Sequence, residues 1–119
     1  MSLFYSNVHF TSFFRSAGGL LIGASINMAP ELFRVAILGV PFVDVACTMV
    51  DSTIPLTVVE WEEWGNPNEE KYKDYILSYS PMENVKKGAI YPACLLTGGL
   101  HDPRVQVSIF LFLHFLFTF

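Results

Sequence analysis

A serine becomes a nucleophile when the backbone thrusts its hydroxyl out of a sharp strand-to-helix turn, and the sequence signature of that turn is Gly-x-Ser-x-Gly. The run Arg15-Ser16-Ala17-Gly18-Gly19-Leu20-Leu21-Ile22-Gly23-Ala24 carries the downstream half of the signature. Gly18 and Gly19 leave room for a strained corner and for a helix that passes close to its strand. Phe14 stands where the first glycine belongs, and a bulky side chain there is expected to clash with the turn or distort it. Ser16 also has a plainer role open to it, because serine is a favoured helix N-cap.

The elements that must hold such a serine are legible nearby. Ala17 to Met28 has apolar residues at helical spacing (Leu20, Leu21, Ala24, Met28), and Pro30 ends it. Glu31-Leu32-Phe33 forms a short turn, and the apolar run Val35 to Val40 has the length of a strand buried on both faces. Asp44 to Met49 begins a short helix, and Asp51 to Pro55 is a loop. Trp61 to Asn68 reads as a polar, aromatic-rich connection ending in the turn Gly65-Asn66-Pro67-Asn68. Glu69 to Tyr79 is helical, with Glu69 and Lys73 four residues apart. Ala93 to Thr97 is a second buried strand, and Gly98 to Asp102 turns at its end. Alternating strands and helices give an α/β class with a parallel sheet. Ser16 and Asp102 each follow a strand, so both project from the carboxyl edge where such sheets gather their chemistry.

Composition narrows the function. The chain has 119 residues, enough for one domain with a modest core; 52% of them are hydrophobic and 15% charged. A net charge of −4 without a basic stripe argues against a nucleic-acid partner. Cys47 and Cys94 read as buried, reduced thiols, and His9, His101 and His114 form no ligand motif, so neither metal nor cofactor is expected. Residues 1–14 lack the features of a signal peptide. The apolar segment 107–119 is too short to span a bilayer, so a membrane partner is not expected and the cytoplasm is the default location.

From Arg15 to Gln106 the chain resembles the catalytic domain of the oligopeptidase B (protease II) branch of the prolyl oligopeptidase family. The matching stretches are Arg15 to Gly19, Pro30 to Phe33, Val40 to Val45, Ile54 to Thr57, Glu60 to Pro67, Ser78 to Pro81 and Gly99 to Asp102. The resemblance implies a partial α/β-hydrolase fold and a serine peptidase that cleaves after Arg or Lys in short peptides. It places Ser16 on the nucleophile, Asp102 on the acid that orients a histidine, and the Ala17 N–H on an oxyanion-hole donor. Glu60 and Glu62 fall on the carboxylates that bind the basic substrate side chain, a task suited to charge-assisted bidentate hydrogen bonds. Arg104 falls on the arginine that steadies the substrate backbone.

Each role has a competitor. Glu60 and Glu62 sit among Glu63, Glu69, Glu70 and Asp74, which also suits a solvated acidic face. Trp61 and Trp64 read as packing residues. The triad histidine is expected to be absent, because His114 lies in Phe112-Leu113-His114-Phe115-Leu116, without the family's glycine-rich context. The chain thus divides into an unrelated segment 1–14, a partial catalytic domain 15–106 and an unrelated tail 107–119, both ends reading like translated noncoding sequence. The expected product is a fragment that is inactive alone. The alternatives are a non-catalytic protein that binds membrane or partner through its tail, and an esterase or lipase of the same fold.

Overall fold

The computed structural model describes residues 10–99 and 101–105. Strand β1 (Phe10–Ser16) runs directly into helix α1 (Ala17–Met28). A 3₁₀ turn (Pro30–Leu32) leads to β2 (Phe33–Pro41), followed by α2 (Val45–Val50), α3 (Thr57–Trp64), α4 (Glu70–Tyr79) and β3 (Ala93–Thr97). The strands form a parallel sheet in the order β1-β2-β3. The expectations for His9, Leu100, Gln106, His114 and the tail fall outside the described residues. Among the described residues no helix is long and apolar enough to cross a membrane.

Helix α1 is the crossover that returns the chain from β1 to β2, and its apolar side closes the sheet. Ile22 and Ile26 pack on Ala36 and Leu38 of β2 and on Val43. Ile26, Ala36 and Leu38 are fully buried, and burial of each large side chain is worth about 1.5–3 kcal/mol. A second cluster joins Leu20 of α1 to Val45 and Met49 of α2 and Ile76 of α4. Asn27 binds the connection after α4 to α1, its Nδ2 donating to the Pro81 carbonyl at 2.8 Å.

Four expectations need correction. The segment around Trp61 is not a connection but helix α3, which runs to Trp64. The helix starts from Leu56 at φ 75° without a side-chain cap and is tied to α2 by the Trp61 Nε1–H donating to the Met49 carbonyl at 2.9 Å. Tertiary contact, rather than a local start signal, therefore makes this helix. Strand β3 alternates exposed and half-buried residues because it borders the described sheet instead of lying inside it. Cys47 is exposed and Cys94 half-buried. Partial desolvation raises both thiols to about 11, with the Asp44 carboxylate adding to the effect at Cys47. Glu69 pairs with Lys71 at 3.4 Å rather than with Lys73.

Candidate active site

The corner between β1 and α1 is built from close approaches. Ser16 sits at φ 51°, ψ −122°, a conformation that costs a non-glycine residue on the order of 1–3 kcal/mol. The sheet register shifts between Arg15 and Ser16, and the Ser16 carbonyl accepts a hydrogen bond from the Phe42 N–H at 3.1 Å. Gly19 presses on the end of β2: a Cβ there would lie 2.4 Å from Pro41 Cβ and 2.6 Å from Pro41 Cα. One residue before that proline, Val40 is also driven to positive φ, at 45°. Two strained residues thus stand on adjacent strand ends.

The expected clash at Phe14 does not occur. Its ring lies over Gly18, where an added Cβ would meet Phe14 Cδ1 at 3.0 Å and Cβ at 3.2 Å. The space left by the downstream glycine accommodates the side chain that replaces the upstream one. Ser16 occupies the N-cap position of α1 yet its side chain makes no capping bond. The plainer role for this serine is therefore not the one it plays.

In front of the corner lies a cleft of about 160 Å³. Ser16 and Ala17 form one wall; Glu60, Glu63 and Trp64 of α3 come from another side, and Arg104 and Val105 close it from beyond β3. Ala17 opens α1, so its N–H belongs to the unsatisfied first turn, which favours negative charge. Trp64 stands edge-on to Phe42 with ring centroids 5.9 Å apart, which supports the floor.

The other acid lies beside the cleft instead of lining it. Asp102 Oδ1 accepts the backbone N–H groups of Arg104 and Val105, each at 2.9 Å. Those bonds, with Val105 first and Arg104 next, hold the carboxyl below its ordinary value of 3.8, and the charge of Arg104 adds to them. Asp102 thereby shapes the turn that delivers Arg104 to the cleft. Of the residues singled out in the sequence, Ser16, Ala17, Glu60 and Arg104 meet at this cleft, while Glu62 is exposed and outside its lining. Glu63 was missed, and the signal that finds it is the three-residue spacing from Glu60 on one helix face.

A serine on a left-handed corner between a parallel strand and the helix that follows, at the carboxyl edge of the sheet, places the chain in the α/β-hydrolase class. The model of the prolyl oligopeptidase family matches residues 13–113. The chain belongs to the prolyl oligopeptidase family.

The fold has close counterparts among solved structures. Oligopeptidase B from Leishmania major superposes with a TM-score of 0.83 at 58% identity, covering 89% of this chain and 15% of that one. Oligopeptidase B from Trypanosoma brucei, in a closed form with covalently bound antipain, gives 0.76 at 60% identity over 81% and 13%. Among curated relatives, the dipeptidyl aminopeptidase BI of Pseudoxanthomonas mexicana is 58% identical over 91 residues, 76% of this chain and 12% of the relative. Protease 2 of Moraxella lacunata is 54% identical over 90 residues, 76% of this chain and 13% of the relative. The chain thus spans about an eighth of the length of these curated relatives.

Proposed function

We propose that this chain carries the nucleophile and substrate-binding part of a serine peptidase site that cleaves after Arg or Lys in short peptides. Ser16 attacks the scissile carbonyl, and the Ala17 N–H stabilises the negative charge that develops on its oxygen. Asp102 is the acid that orients a histidine base. Glu60 and Glu62 on α3 supply negative charge for the basic side chain, and Arg104 steadies the substrate backbone. The observation that carries the reading is the strained, uncapped Ser16 in a cleft that also holds Glu60 and Arg104.

No histidine of the 119 residues matches the family's general base, so the chain by itself turns over little or no substrate. Ground-state recognition does not need that base. Trp64 lines the cleft and makes binding visible as a change in fluorescence. Acetyl-arginine methylamide is expected to bind at least about tenfold more tightly than its neutral citrulline isostere. Equal affinity for the two would remove basic peptides as the substrate class.

A further inference from the structure

We propose that Glu63 determines the preference for a basic side chain together with Glu60, an inference that rests on the peptidase reading above. The argument begins with helix phase. At about 100° per residue, positions two apart on an α-helix point some 200° apart, while positions three apart differ by only about 60°. Helix α3 runs from Thr57 to Trp64, so Glu60 and Glu63 share a face and Glu62 turns away from it.

The packing of α3 fixes which face meets the cleft. Thr57 is buried, Trp61 bonds to the Met49 carbonyl, and Trp64 packs against the cluster around Leu20 and Val45. With that side held against α2, Glu60 and Glu63 line the cleft that contains Ser16, and Glu62 does not. Glu63 also borders a neighbouring hollow of about 490 Å³ formed by Leu20, Leu21, Ala24, Tyr75 and Tyr79. Its carboxylate therefore stands on the ridge between the serine's cleft and an apolar recess. A guanidinium entering beside Ser16 meets one carboxylate from each turn of α3, and its aliphatic stem has apolar surface to lie on.

The test compares Glu60→Gln, Glu62→Gln and Glu63→Gln with Glu70→Gln, a change of the same charge at an exposed position on α4. Each full chain is titrated with acetyl-arginine methylamide and with the citrulline isostere, following tryptophan fluorescence. Glu60→Gln and Glu63→Gln are each expected to weaken arginine binding about five- to tenfold. The same variants should leave citrulline binding within about twofold, and Glu70→Gln should leave both ligands within about twofold. Arginine affinity retained in Glu63→Gln, with a loss in Glu62→Gln, would overturn the assignment while leaving the peptidase reading intact. A wild-type chain that does not distinguish the two ligands would overturn both.

Discussion

The interior where α1 crosses β2 and the corner where β1 becomes α1 share one helix and obey opposite rules. Ile26, Ala36 and Leu38 are fully buried and apolar, and nothing in their backbone is unusual. A few residues away, Ser16 is exposed at φ 51° and the β-branched Val40 is forced to φ 45°. Strain of on the order of 1–3 kcal/mol per residue persists only where surrounding structure imposes it. The first turns of α1 impose it here, because Gly19 is seated on Pro41 while Ile22 and Ile26 are locked in the core. The contrast shows how a small apolar interior can hold a polar side chain in a conformation that it would not adopt alone.

The largest effect expected is on the interior itself. Leu38→Ala should lose about 3–4 kcal/mol of stability, read from the denaturant midpoint, because the cavity lies at the centre of the α1–β2 contact. A loss below about 1 kcal/mol would mean that this contact does not hold the corner.

The sign reverses at the corner. Ser16→Gly should be more stable than Ser16→Ala by about 1 kcal/mol, since only glycine adopts φ 51°, ψ −122° without a Cβ penalty. If alanine proves the more stable of the two, Ser16 is not strained and the comparison collapses.

The smallest effect concerns the turn after β3. The Asp102 carboxyl is held below 3.8 in the folded chain by its two backbone amide bonds. Its stabilising contribution is therefore complete above the unfolded value and is lost as pH falls through the lower folded one. Amide exchange at Arg104 and Val105 should accelerate between about pH 5 and about pH 2, and Asp102→Asn should flatten that dependence. An unchanged pH profile in the variant would show that other groups hold the turn.

What could be foreseen from the residues follows from how local each signal is. Ala17–Met28 and Ala93–Thr97 carry their own boundaries in apolar spacing, Pro30 and the glycines after Thr97. Helix α3 does not, because it opens on Thr57-Val58-Val59, a β-branched run that favours strands, and begins from a left-handed Leu56. Its existence depends on Trp61 reaching across to Met49. The cleft's acidic face was hidden for the same reason, since the choice between Glu62 and Glu63 can be made only once α3 is known to be a helix. Phe14 was misjudged because a missing glycine is visible in sequence, whereas the space offered by Gly18 beneath it is a three-dimensional fact. Nothing in the chain order announces the positive φ of Val40.

The central claim is that the fold presents Ser16 as a nucleophile. Free imidazole can stand in for a general base that the chain does not supply. The direct measurement is hydrolysis of an acetyl-arginine p-nitrophenyl ester by the full chain and by Ser16→Ala, both in imidazole buffer. The account predicts that the wild-type chain exceeds the variant by about tenfold, well within what an oxyanion site and binding alone supply. Identical rates, with both chains folded, would contradict it.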